Sequence, residues 1–197
     1  MRRSALIVAT ASFLAITVPI PAAASPMRTK AGVFQAFAAD GSPAIYISKT
    51  VQGYCYTGSL TIDRSDAWRC SSGNFLLDPC FSSAEAPGLV ICPNIDPASG
   101  IEIRLTKPLP YSSANRAAPS VNDPPWAIET LSGRFYGLAS GASSIVNGLR
   151  LNYFCGSGCT AGLWGYPNRK VKPWTILYGS ISARTLTTKV GILRAWM

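Results

Sequence analysis

The sequence contains no histidine and only nine acidic side chains in 197 residues. The first absence removes the commonest general base and any Ser-His-Asp triad. Neither a Gly-x-Ser-x-Gly elbow nor a Ser-x-x-Lys pair offers a substitute. Gly156-Ser157-Gly158 lacks the Gly-Lys-Ser continuation that a phosphate-cradling loop needs. The acids are also confined in position. None follows Glu129, so the eight Lys and Arg residues of the last 68 positions form a field of one sign. Beyond residue 20 no apolar run approaches the roughly 20 residues that span a bilayer.

What is present begins with an export pattern. Arg2 and Arg3 precede an apolar run over 5–20, and Ala22-Ala23-Ala24 stands ahead of Ser25. That is the charged, apolar, small-residue order of a secretory leader over 1–24, either cleaved before Ser25 or retained as an anchor. Cleavage leaves 173 residues and lowers the formal charge from +9 to +7, with no transmembrane segment expected in the mature chain. Outside the reducing cytoplasm the six cysteines are expected as disulfides, which removes thiolate chemistry. Fifteen pairings are open to six cysteines. The pairing that closes the shortest loops joins Cys55 to Cys70, Cys80 to Cys92 and Cys155 to Cys159. Without histidine or two closely spaced cysteine pairs, zinc is set aside, and neither metal nor cofactor is expected.

Strand-like patterns dominate and helical periodicity is weak. In 101–106 apolar Ile101, Ile103 and Leu105 alternate with Glu102 and Arg104, as in a strand with one buried face. Residues 149–153 repeat that arrangement, and 174–178 are apolar on both faces, as in a central strand. Further strands are expected at 44–48, 59–62, 89–92, 126–131, 134–139, 162–166 and 189–196. Seventeen glycines and 15 prolines punctuate these runs, which suits an all-β, disulfide-stapled sandwich or barrel. The proline- and serine-rich stretch 107–125 reads as a linker between an N-terminal β lobe, 25–106, with four cysteines and a basic C-terminal β lobe, 126–197.

Two clusters carry candidate binding chemistry. The first runs from Asp66 to Asp78. Trp68 there could stack on a pyranose while Asp66, Arg69, Asn74 and Asp78 grip hydroxyls, or the same residues could simply serve a disulfide-bound loop. Paired carboxylates are the one acid–base system this composition leaves in reach, and nothing in their spacing selects a pair. The second cluster is Arg169, Lys170 and Lys172, between Tyr166-Pro167 and Pro173-Trp174. Cations flanked by aromatics at a hairpin tip suit a phosphate or a sulfated sugar. Export argues against nucleic acid as the partner and favours an anionic envelope polymer or lipid headgroups.

Several segments together resemble a family of exported bacterial proteins without an assigned activity. They are Asp66-Ala67-Trp68-Arg69-Cys70 with Gly73-Asn74, Asp78-Pro79-Cys80-Phe81, Val90-Ile91-Cys92-Pro93, Pro125-Trp126-Ala127, the 147–153 stretch, and Pro173-Trp174-Thr175-Ile176-Leu177-Tyr178. The resemblance implies a sensing or scaffold module, since such segments occur in free secreted proteins and in extracytoplasmic regions of larger envelope proteins, kinase-linked ones included. It also implies a cysteine near Phe135-Tyr136 as the partner of Cys155, a position this chain lacks, leaving Cys159 as a local replacement. The expected function is that of a secreted, non-catalytic extracellular or envelope module holding an anionic component through its basic lobe. The alternatives are a carbohydrate-binding or glycan-cleaving protein using the Asp66-Trp68-Asp78 region, and a purely structural secreted domain.

Overall fold

A computed structural model describes residues 27–111, 118, 120–156 and 158–197. The export pattern over 1–24 and part of the 107–125 linker lie outside the described residues. Among the described residues there is no helix, and hence none long and apolar enough to cross a membrane. The chain is all-β and carries three disulfides, Cys55–Cys70, Cys80–Cys92 and Cys155–Cys159.

After a short β1 (Lys30–Gly32), the strands β2 (Tyr46–Gly58), β3 (Ala67–Ser72), β4 (Phe75–Ser82), β5 (Leu89–Pro93) and β6 (Ser99–Leu105) form a closed barrel in sequence order. Five strands in an up-and-down order end with the first and last running the same way, so the closure between β2 and β6 is parallel. A second barrel follows from β7 (Ala127–Thr130), β8 (Phe135–Leu138), β10 (Leu149–Phe154), β11 (Ala161–Asn168), β12 (Thr175–Ser180) and β13 (Thr185–Trp196). The small β9 (Ile145–Val146) pairs only with β10. This even-numbered ring closes antiparallel, β13 against β7.

Both closures use one long strand that changes partner midway. In β2, residues 46–53 pair with β6 and 54–58 with β3. Gly53 marks the handover, and a Cβ there would collide with the Ser71 carbonyl oxygen. In β13, residues 185–191 pair with β12 and 192–196 with β7, and a Cβ at Gly191 would run into the Leu131 side chain. Where β12 stops, β1 takes the free edge of β13 in parallel, Lys30 beside Arg194 and Gly32 beside Trp196. The segment ahead of the first barrel is thereby sewn to the last strand of the second, and Thr29 Oγ1 adds a bond to the Ile192 carbonyl at 2.7 Å.

Three apolar cores result. The first barrel is filled by both its disulfides, with Val90 and Ile103, and Trp68 packs against them. Cys55 and Cys70 stand directly opposite on antiparallel β2 and β3, and Cys80 and Cys92 flank the Phe81–Ile91 pair on antiparallel β4 and β5. The second barrel is filled by Ile128, Tyr136, Tyr153, Leu163, Ile176 and Ile192. Between the barrels lies a third core, in which Phe34 meets Phe81 at 5.0 Å and Trp126 at 5.1 Å between ring centroids. Aromatic pairs at such distances add to the burial of their area. The cross-strand row Ala67, Phe81, Ile91 supplies the first barrel's share of this seam.

Two sequence expectations need correction. Residues 59–62 are not a strand but a loop, folded around the Ser59 hydroxyl, which accepts the backbone N–H groups of Thr61 at 3.0 Å and Ile62 at 3.1 Å. Such a serine turn competes with a sheet ladder for the same donors. The cluster from Asp66 to Asp78, read as serving a disulfide-bound loop, lies almost wholly in the hairpin of β3 and β4, with its turn at Gly73-Asn74. Its polar side chains occupy outward positions of a barrel whose inward ones hold Cys70 and Cys80.

Candidate functional site

The residues singled out around Trp68 do not converge on one pocket. Asp66 is held by Arg64, Nε to Oδ1 at 3.0 Å and Nη2 to Oδ2 at 2.6 Å. Arg64 itself is 2% exposed, donates through Nη1 to the main-chain oxygens of Phe34 and Met197, both at 3.0 Å, and covers the Phe81 ring at 4.6 Å. A buried guanidinium needs its charge and donors matched, and Asp66 supplies the charge. Asp66 therefore ties the seam between the barrels. Trp68 is half-buried, stacked toward the disulfides, and its Nε1 donates to Ser82 Oγ at 2.9 Å. Asn74 sits exposed at the hairpin tip, about 20 Å along the strand from Trp68 at the usual rise per residue.

Asp78 faces a different neighbourhood. Its carboxylate accepts the Ser59 hydroxyl and the Leu60 N–H, the latter at 3.0 Å. Burial is the largest influence on it and raises its pKa above the ordinary carboxylate value, against the opposing pull of those bonds and of Arg69. Arg69 lies nearby with a buried Nε that finds no acceptor. Asp78 also lines a cavity of about 200 Å³ at the seam with Asn94 and Trp126. The sulfurs of Cys70, Cys80 and Cys92 lie within 4.8 Å of one another, but each is committed to a disulfide and offers no thiolate to a metal.

The second cluster divides. Arg169 is occupied: its guanidinium donates to the carbonyls of Val121 at 3.0 Å, Asn122 at 3.2 Å and Asp123, and lies 4.7 Å over the Trp174 ring. It fastens the end of the linker to the β11–β12 turn. Lys170 and Lys172 project from that same turn and are exposed. Arg150 bonds to Asn152 and to the carbonyls of Ala139 and Gly141, and Arg194 pairs with Glu129 at 3.5 Å. Lys170, Lys172, Arg184 and Lys189 remain exposed and form no ion pair among the described residues.

These four cations follow the β12–β13 hairpin. Lys170 and Lys172 stand at one end of β12, Arg184 in the turn at the other, and Lys189 opposite Leu177 between them. Six residues of β12 set the ends about 20 Å apart. Sequence reasoning placed Arg169 in the binding group and left Lys189 and Arg184 out of it. The signal for the latter two was their separation from every acid in the sequence, which marks a field without locating it on a surface. No family model, curated protein or solved structure matches the chain.

Proposed function

We propose that the protein is a secreted, non-catalytic extracellular or cell-envelope module that holds an anionic envelope polymer along the β12–β13 hairpin. The observation that carries this reading is the row of Lys170, Lys172, Lys189 and Arg184, exposed and without carboxylate partners among the described residues. Lys49, Lys107 and Arg134 are likewise exposed without an ion pair among the described residues but lie outside this hairpin, whereas Arg64 and Arg194 are spent on Asp66 and Glu129. A strip of like charge about 20 Å long suits a linear polyanion, whose charges repeat along one direction. Three disulfides favour an oxidising compartment, where such polymers are found. A purely structural domain has no need of an unneutralised strip, because like charges held together oppose folding.

The test is retention on immobilised poly(glycerol phosphate). The combined variant Lys170→Glu, Lys172→Glu and Lys189→Glu is expected to pass through unretained, while Lys49→Glu with Lys107→Glu, which removes the same sign of charge from the first barrel, is expected to stay bound. Equal retention of both variants would overturn the assignment to this hairpin.

A further inference from the structure

Trp164 is 1% exposed, and its indole Nε1 finds no acceptor. An N–H group buried without a partner is uncommon, because the bond lost to water is not replaced. In β11 the neighbouring Leu163 points into the barrel core, so Trp164 belongs to the outer face. Register fixes what lies beside it. Trp164 pairs with Leu177, and Leu177 pairs with Lys189, so the three side chains form one cross-strand row on that outer face. At about 5 Å between successive Cβ atoms, the Trp164 and Lys189 Cβ atoms are about 10 Å apart, within the combined reach of an indole and a lysine stem.

Trp164 and Lys189 both line one cavity of about 180 Å³, together with Leu149, Tyr166, Asn168 and Leu177. No carboxylate lines it. Asn168 Oδ1 already accepts the Lys170 N–H at 3.0 Å, which leaves its amide NH2 as the end free to donate. An indole N–H, a lysine ammonium and an amide NH2 are donors without a competing acid. A cation would meet no counter-charge here, and a hydroxyl group would leave the ammonium unmatched.

We infer that this cavity seats one oxyanion group, a phosphate, sulfate or carboxylate, of the anionic polymer that the hairpin holds, with Lys189 supplying charge and Trp164 Nε1 a desolvated hydrogen bond. The inference rests on the proposed function and adds to it a defined subsite: strip cations steer the polymer, and the Trp164 cavity sets its register. A hydrogen bond from the buried Trp164 N–H to an oxyanion is directional and shielded from water, and fixes geometry in a way that the exposed lysines alone do not.

The experiment follows the tryptophan indole resonances of the 15N-labelled mature protein as oligo(glycerol phosphate) is added. The Trp164 N–H, identified by a Trp164→Phe variant or, should that variant not fold, by selective line broadening from a spin label at position 189, is expected to move further than the other four indole signals. Lys189→Met is expected to weaken the binding read at that signal by about tenfold. A Trp164 signal that stays still while the polymer is retained on the column overturns the subsite and leaves the hairpin reading standing. Loss of retention by the wild-type protein overturns both. If phosphatidylglycerol vesicles move the signal and the oligomer does not, the polymer is the wrong source of the oxyanion and the proposal fails.

Discussion

Arg64 and Asp66, two positions apart in sequence, form a two-pronged ion pair whose shortest contact is 2.6 Å, and the same guanidinium binds the main chain at Phe34 and Met197. One residue of the first barrel thus holds the incoming segment and the last strand of the second. Removing one partner of a buried pair leaves the other charge uncompensated. Arg64→Met is expected to lower stability by about 3 to 5 kcal/mol and Asp66→Asn by about 3, read by denaturant unfolding. A loss under about 1 kcal/mol for both variants would show that the seam is held by Phe34, Phe81 and Trp126 alone.

Tyr153 makes the opposite case. Its ring fills the second barrel's core, and its hydroxyl is buried with no hydrogen-bond partner. Burial pushes its ionisation far above the ordinary tyrosine range, so the hydroxyl stays neutral. Tyr153→Phe removes an unmatched polar atom and keeps the ring. Thermal unfolding should show a gain of about 1 kcal/mol, and a loss of that size would reveal a bond that the hydroxyl makes.

The three disulfides should differ in access. Cys70 and Cys80 are fully buried and Cys55 and Cys92 nearly so, whereas Cys155 and Cys159 are half-exposed. Thiol–disulfide exchange needs an approaching thiolate. Under mild reductant in native buffer, alkylation and mass spectrometry should find labels on Cys155 and Cys159 first, with the other four reached only on unfolding. Early labelling of Cys55 or Cys92 would contradict the closed first barrel.

How much of this was legible beforehand follows from where the constraints lie. Ile101, Ile103 and Leu105 alternate with charged residues, so β6 declared itself through its own period. β3 and β4 did not, because a register shift between Trp68 and Cys70 breaks their alternation and both faces are covered, Trp68, Cys70, Leu77 and Cys80 by the barrel core and Ala67 and Phe81 by the seam. The disulfides followed from short loops because each buried bridge crosses between neighbouring strands of one meander. The pairing of β1 with β13 joins residues more than 160 positions apart, and no local pattern reports such a contact. At the candidate site, Lys170 and Lys172 were visible as a run of charge. Lys189 was not, since only strand register sets it across from Leu177 and Trp164.

Asp78 gives the fold a pH dependence of unusual sign. Burial raises its folded-state pKa, so between the unfolded value, about 3.9, and the folded one the native state holds more protons than the unfolded state. Its contribution to stability is fully present below the unfolded pKa and is lost as pH rises through the folded pKa. Asp78→Asn cannot titrate, so its melting temperature relative to wild type should climb as pH is raised above about 4. A constant difference across that range would place Asp78 in contact with water.

The central claim is that the β12–β13 hairpin binds by charge. Its most direct test is the salt dependence of wild-type binding to poly(glycerol phosphate), since exposed ion contacts are screened as the Debye length shrinks from about 10 Å at 0.1 M salt to about 3 Å at 1 M. The account predicts affinity falling steadily across that range, with a shallower slope once Lys170, Lys172 and Lys189 are neutralised. Binding that holds constant from low to high salt would contradict it.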